Sequence, residues 1–379
     1  MLGKRLGDLY SYVFTALLDL IERGWVPEVI VRRGIRLLLS QRHAELVNGG
    51  EVEKARVVDK LRRGRIAEDT DKANEQHYEL PTIFFQKTLG PYMKYSCCLF
   101  ESPSASLAEA EEAMLDLYVK RADIHDGMRV LDLGCGWGSL TLYLLKRFPS
   151  LTVISVSNSQ PQRLFIESKA AAMGLKDRTN VITCDANELS FPTEGGIAGG
   201  FDRIMAIESF EHMRNWHELL SRCGGWLRQD GEGRMFLHFF CHKTFPYLFE
   251  VRDATDWMTQ YFFTGGIMPS LDLVEQLHRG DSDSDGGSVL PLTEEQRWYV
   301  DGTHYQLTSE TWLKTLDKHR QDSELMGAFE DTYGAQAANR WFNRWRMFYL
   351  AVAECFGYQG GGVWGVAHVL LKHSRPTQQ

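Results

Sequence analysis

Val130-Leu131-Asp132-Leu133-Gly134-Cys135-Gly136-Trp137-Gly138 is the stretch on which the reading of this chain turns. Apolar residues flank Asp132, three glycines follow at alternate positions, and Leu140, Tyr143, Leu144 and Phe148 then recur at helical spacing. The pattern predicts a strand, a tight turn and a helix. Glycine serves such a turn by adopting φ > 0 and by leaving no Cβ where a ligand lies against the backbone. Three glycines so close together cost entropy on folding, which weighs against a turn that merely closes a βα unit.

Nicotinamide, flavin, nucleoside and phosphate binders all use a glycine-rich strand-to-helix turn. A phosphate loop ends in Gly-Lys-Ser/Thr, and Gly138-Ser139 has no lysine. A dinucleotide site needs Gly or Ala at 139 and a carboxylate about 20 residues on; Ser139 and Ser155-Val156-Ser157-Asn158 stand there instead. Asp132 fits a ligand carrying amine or hydroxyl donors, and S-adenosylmethionine is such a ligand. Asp132, Gly134, Gly136 and Gly138 are therefore candidate cofactor contacts.

Downstream, strands are expected at Leu151–Val156, Val181–Thr183, Phe201–Ile207 and Arg234–Phe240, with a helix from Pro161 to Met173 ended by Gly174 and a loop at Gly195–Gly200. Strands alternating with helices at this spacing predict an α/β, Rossmann-like, doubly wound and mostly parallel sheet. Gly134, Asn158, Asp185 and Glu208 all fall at the carboxyl ends of its strands, where such sheets bind ligands. A last strand is expected at Val363–Lys372, after helices at Trp312–His319 and Trp341–Phe356.

Upstream, Leu6, Leu9, Tyr10, Val13, Leu17, Leu20 and Ile21 mark one face of a helix that Gly24 ends. Pro27 opens a second helix running toward Leu46, Asn48-Gly49-Gly50 breaks it, and a charged third follows to about Arg65. Tyr78, Phe84, Phe85, Tyr92, Tyr95 and Phe100 then make an aromatic segment, and Leu107–Ala122 reads as a helix. The expected organisation is an N-terminal helical subdomain at 1–75, a cofactor-binding core at 76–242, a substrate-covering insertion at 243–340 and a C-terminal helix with the last strands at 341–379. The insertion carries Phe245, Tyr247, Phe249, Trp257, Tyr261, Phe262 and Phe263. Its acidic run from Gly280 to Gly287 resembles a calcium loop in composition, but Leu292 falls where an EF-hand has its bidentate glutamate; a solvated, mobile surface loop is the expectation, and no metal site.

A net charge of −8 makes nucleic acid a poor partner. Residues 1–66 carry 13 Lys and Arg against 8 Asp and Glu, a net +5 that leaves −13 for the remainder. The charges are scattered, which reads as a basic cap docked on an acidic domain rather than a lipid-binding patch. No apolar run approaches the ~20 residues that span a bilayer. Seven cysteines, an odd number with no C-x-x-C pair, fit a reducing compartment and argue against structural zinc. A cytoplasmic protein without stable membrane insertion is expected, with a homodimer as an open possibility.

The methyl of a sulfonium is already electrophilic, so the protein must chiefly bring a nucleophile into line and exclude water. An amine nucleophile has to be neutral, yet aliphatic amines are protonated near pH 7. Glu208-Ser209-Phe210-Glu211-His212-Met213 offers the groups for this. A helix starting just after the fourth strand would put Glu208 and His212 on one face, His212 as base and Glu208 as the anion steadying the cation. The plainer reading has Glu208 capping that helix and His212 making a local hydrogen bond.

Lys94-Tyr95-Ser96-Cys97-Cys98, the 130–138 turn, Glu208–Met213 followed by Asn215, His242-Lys243-Thr244-Phe245, Phe262–Ser270 and His304-Tyr305 together resemble the coclaurine N-methyltransferase family, itself allied to cyclopropane fatty acid synthases. The resemblance runs from about Leu20 to Lys372. It implies a class I S-adenosylmethionine-dependent methyltransferase fold, with Glu208 and His212 at the positions of the catalytic pair. It also implies cofactor contacts from Tyr95, Ser96, Gly134, Gly136, Asn158, Gln162, Asp185 and Ala186. The expected substrate is a small-molecule amine, of the benzylisoquinoline kind, held by Phe245, Trp257, Tyr261, Phe262 and Phe263. The rival reading is methylation or cyclopropanation of unsaturated acyl chains of phospholipids. Cyclopropane synthases hold a bicarbonate base with a cysteine, a glutamate, a histidine and a tyrosine, and Cys97, Glu211, His238 and Tyr305 stand at similar positions, which also makes Glu211, His238 and Tyr305 pocket candidates.

Overall fold

The computed structural model describes residues 2–68, 80–191, 200–253, 255–282 and 289–374. Tyr78, the expected loop at 195–199 and the acidic run from Asp283 to Gly287 lie outside them. Two helices lead, α1 (Leu2–Glu22) and α2 (Glu28–Lys60), followed by α3 (Thr82–Thr88) and α4 (Leu107–Arg121). Then come β1 (Arg129–Leu133), α5 (Ser139–Arg147), β2 (Thr152–Ser157), α6 (Gln160–Ala172), β3 (Thr179–Thr183), β4 (Arg203–Ile207), α7 (Trp216–Trp226) and β5 (Arg234–His242). The remainder comprises a small hairpin of β6 (Tyr247–Leu248) and β7 (Ile267–Met268), between whose strands lies α8 (Trp257–Tyr261). It closes with α9 (Leu273–Ser282), β8 (Leu292–Val300), α10 (Gly302–Lys318), α11 (Ser323–Tyr333), α12 (Ala338–Phe356) and β9 (Trp364–His373).

The main sheet has seven strands in the order β3-β2-β1-β4-β5-β9-β8. From β3 to β5 all pairs are parallel, whereas β9 runs antiparallel to both β5 and β8. This is the mostly parallel, doubly wound α/β sheet expected of a class I methyltransferase, with β8 as a strand the sequence reading had not assigned. The strand period of two sorts the core. Val130, Val153, Met205 and Phe236 pack on one face with Met114, Leu144, Trp312 and Trp345 of the helices. Leu131, Ile154, Ile204 and Leu237 pack on the other with Leu219, Cys223 and Leu277.

The N-terminal helices are laid over the carboxyl ends of the strands and pinned there. Gly24, at φ +76, ends α1 with its N–H bonded to the Ile21 carbonyl (2.8 Å). The second break falls where expected: Gly50 takes φ 54 and ψ −149, outside helical geometry, so the span Glu28–Lys60 is two helices meeting at a sharp kink. Arg32 of α2 bonds Glu28 (2.8 Å), Glu310 of α10 (2.6 Å) and Glu354 of α12 (2.9 Å), and Lys54 pairs with Asp272 (2.7 Å). The Trp257 indole donates to Glu22 of α1 at 3.0 Å. Most of these charges are shielded from solvent, so the pairs orient the cap more than isolated surface pairs would.

Candidate active site

The turn after β1 uses each glycine differently. Gly134 (φ +83) leaves room for Ser209, whose Cβ a side chain at 134 would overlap. Gly138 (φ +79) starts α5 and would press an added Cβ on Ile166 at 2.6 Å. Gly136 (φ +52) would meet no protein atom within 4 Å and faces open space. Gly138, expected with the other two among the cofactor contacts, packs on Ile166 and lines neither of the two cavities that border the turn.

Two cavities border this turn. One, of about 100 Å³, is lined by Gly134, Gly136, Asn158, Gln162, Asp185, Ala186, Glu208 and His212 among others. The second, of about 70 Å³, is lined by Tyr95, Ser96, Asp132, Gly134, Gly136, Gln162 and Glu208. Burial pushes the Asp132 carboxyl up to about 6, against the Thr141 hydroxyl donating to it at 2.6 Å. Ser157 donates to the Gln162 side-chain oxygen (2.6 Å), while Nε2 of Gln162 is buried without a partner. A buried amide donor in the wall common to both cavities, beside a glycine with nothing above it, fits a polar ligand laid along the turn. Ala67 and Glu68 also line the first cavity, and Lys94 and Trp137 the second; no pattern in the sequence had marked the first two.

A third cavity, of about 510 Å³, opens beyond them and is mostly apolar. Leu17, Leu18 and Ile21 of α1, Val31, Ile35 and Leu38 of α2, and Phe348, Val352 and Phe356 of α12 line it. Tyr247, Phe249, Trp257, Phe263, Tyr305, Glu208 and His212 also line it, as do the charged Arg42, Glu45, Arg252 and Asp256. Of the residues expected to form the substrate wall, Trp257, Phe263 and Tyr305 are there. The others stand behind it, each for a local reason. Phe262 is buried between Trp345 and Phe348, Tyr261 lies under the Arg344 guanidinium (4.1 Å), and Phe245 packs on the His242 ring. Glu211 accepts the Phe240 N–H at 2.7 Å, and His238 is fully buried behind Glu208.

Among the carboxylates of the described residues, Glu208 alone borders all three cavities. It does not sit on a helix. The chain leaves β4 with Glu208 in the left-handed region (φ 47), followed by a 3-10 turn over Phe210–His212, so the expected shared helical face does not exist. The next helix is capped by Asn215, whose side chain accepts the Glu218 N–H at 2.9 Å. A glutamate at positive φ is rare and costs about 1 kcal/mol, and here it turns the carboxylate back into the fold. Oε1 accepts from the Cys97 N–H and from Nε2 of His238, both at 2.9 Å, and Oε2 from the Tyr305 hydroxyl at 2.6 Å.

Burial raises the Glu208 carboxyl above its usual range, opposed by the Lys94 charge and by the Cys97 and Tyr305 donors. His212, its ring stacked on Phe263 (centroids 5.8 Å apart, 14° between planes), is held down at about 4 by burial, against the charge of Glu208. A carboxyl group held by three donors and a neutral imidazole thus meet where the cofactor-side cavities border the apolar one. Cys97, His238 and Tyr305, three of the four residues that the lipid reading gives to a bicarbonate, instead hold the Glu208 carboxylate. Among the described residues no group of three or more His, Cys, Asp or Glu is placed to hold a metal ion, and no helix is long and apolar enough to cross a membrane.

The family model described as mycolic acid cyclopropane synthetase matches residues 67–356. An (S)-coclaurine N-methyltransferase of Thalictrum flavum subsp. glaucum is 36% identical over 95% of this chain and 96% of its own length. That of Papaver somniferum is 33% identical over 94% and 97%. A crystal structure of coclaurine N-methyltransferase bound to N-methylheliamine and SAH superposes with a TM-score of 0.85, at 34% identity, covering 95% of this chain and 99% of that one. A cyclopropane synthase of Mycobacterium tuberculosis shares the fold, at 22% identity and a TM-score of 0.61 over 81% of this chain and 99% of that one.

Proposed function

Since the chain belongs to the coclaurine N-methyltransferase family, within the reach of the cyclopropane synthetase family model, we propose that its acceptor is the amine of a benzylisoquinoline-like molecule. It is an S-adenosylmethionine-dependent N-methyltransferase acting on a small molecule. The observation that carries the acceptor reading is the Glu208 carboxylate, fixed by three donors at the junction between the glycine turn and an apolar, aromatic-walled cavity.

When bound, S-adenosylmethionine supplies an electrophilic methyl group. Gly134 and Gly136 give it backbone to lie on, and Gln162 offers it an amide donor. Glu208 draws the protonated amine out of the apolar cavity toward that methyl, an attraction strengthened by the shielding of the site from water. His212, neutral near pH 7, takes the proton that the amine must lose before its lone pair can attack. Phe249, Trp257, Phe263 and Phe348 pack on the carbon skeleton and exclude water, and their ring faces favour the cationic form on entry. His212→Ala is expected to lower kcat by about 10²-fold, with cofactor affinity by calorimetry unchanged; an unaltered kcat would remove the imidazole from the proton's path.

Incubation with labelled S-adenosylmethionine and a panel of benzylisoquinolines, simple amines and phospholipid vesicles tests the acceptor. Methylation of the benzylisoquinolines, with mass gain at nitrogen, is expected. Label confined to lipid would return the acyl-chain reading, which the occupation of the Cys97, His238 and Tyr305 donors by Glu208 argues against. We also infer a homodimer, supported by exposed Tyr12 and Val13 of α1, Trp25 in the connection, and Val29 and Leu37 of α2, and testable by light scattering. Seven free thiols support a cytoplasmic setting.

A further inference from the structure

Behind Glu208 lies a chain of hydrogen bonds whose direction can be read from its far end. Arg121 has only N–H donors. Its Nη1 stands 2.6 Å from Nδ1 of His368, so that nitrogen is an acceptor and this imidazole carries its proton on Nε2. Nε2 of His368 is 2.8 Å from Nδ1 of His238, which must accept in turn. The proton of His238 is thereby left on Nε2, 2.9 Å from Oε1 of Glu208. Burial, before the nearby positive charges, holds both imidazoles neutral.

A second line of donors ends on the same nitrogen. The Lys94 ammonium donates to the Ser96 hydroxyl (2.5 Å), Ser96 bonds the Tyr118 phenol, and Tyr118 lies 2.9 Å from Nδ1 of His238. Both lines start at a cation and finish at the one lone pair that decides which tautomer His238 adopts. Arg121 and His368 border none of the three cavities described above. Among the described residues no carboxylate is a hydrogen-bond partner of Arg121; its guanidinium lies over the Trp298 ring at 4.8 Å.

We propose that Arg121, His368 and Tyr118 are positioning residues for methyl transfer, which fix His238 in its Nε2–H tautomer and so keep Glu208 an anion toward the acceptor amine. The proposal rests on the role given to Glu208 above. With a proton on Nδ1 instead, the bare Nε2 lone pair would face Glu208. One of its three donors would become a repulsion, and its proton affinity would rise. Tyr305, the Cys97 thiol, Lys94, His212 and Glu211 also bear on Glu208, and all five are left in place by the substitutions that follow.

The two lines back each other up, and this sets the test. Tyr118→Phe and Arg121→Met are each expected to lower kcat by about three-fold or less, and the double variant by about 50-fold, with KM within about two-fold. The acid limb of kcat against pH should move up by about one unit in the double variant. Arg121→Lys in the Tyr118→Phe background keeps a donor at that position and should hold kcat at the level of Tyr118→Phe alone. Ring 15N shifts of His238, taken without acceptor, read the tautomer directly and need no turnover, so they bear on the relay alone, whereas Glu208→Gln tests the carboxylate's role. A parent enzyme with the His238 proton on Nδ1 would overturn the proposal even if the double variant failed to fold. So would a double variant whose loss equals the product of the singles with its acid limb unmoved.

Discussion

Glu208→Gln is expected to lower kcat by about 10³- to 10⁴-fold, some 4–5 kcal/mol of transition-state stabilisation, while cofactor affinity changes by less than about three-fold. The amide matches the carboxylate in size. One of its ends can still accept from the Cys97 N–H and from His238, now 2.9 Å from Oε1, and the other can donate to the Tyr305 oxygen. The turn at φ 47 therefore survives, and only the charge is lost. Because the site is shielded, that charge has no replacement: the other carboxylates in the wall of the large cavity, Glu45 and Asp256, are paired with Arg42 and Arg252, and His212 is neutral. Steady-state kinetics with a methylated amine as product, alongside calorimetry with S-adenosylmethionine, checks both halves. A kcat within ten-fold of the parent would mean that the carboxylate's charge does not bring the amine to the methyl.

Gly134→Ala is expected to destabilise the fold by about 2–4 kcal/mol, adding left-handed strain of ~1–2 kcal/mol to an overlap of similar cost. The overlap is with Ser209, which is held by its hydroxyl's bond to the Leu133 carbonyl (2.9 Å) and has little room to retreat. Such a loss is a large share of the stability of an ordinary domain. The denaturation midpoint should fall accordingly, and Ser209→Gly in the same chain should recover the overlap but not the strain. Gly136→Ala makes a useful contrast, because its Cβ meets no protein atom. A midpoint for Gly134→Ala equal to that of Gly136→Ala would show that Ser209 yields without cost.

Much of the fold could be read from residue order because its first five strands are short apolar runs separated by helices. β8 could not. Leu292–Val300 carries Glu294, Glu295 and Arg297, shifts register between Glu294 and Gln296, and pairs with β9 alone at the sheet's edge; a half-exposed edge strand has no continuous apolar signature. At the site, Glu208 and His212 are conspicuous by type, but their four-residue spacing imitates a helix where the chain makes a left-handed step and a single 3-10 turn. No local propensity announces a glutamate at positive φ. The aromatic insertion shows the same limit. Phe262 and Phe263 are neighbours in sequence, yet one is sealed against Trp345 and the other faces the cavity. His238 and His368 are 130 positions apart and touch only because β5 and β9 are paired.

One part of the wall of the large cavity is built by α1 and α2, ahead of the stretch from 67 to 356 that the family model matches. Part of the cavity wall is thus written outside the passage that carries Glu208 and His212, although Trp257, Phe263 and Phe348 share in it. Exchanging the first sixty residues between related enzymes should trade their tastes in amine without retuning the carboxylate. It also means that new acceptors are reachable in evolution through changes that never risk the catalytic step.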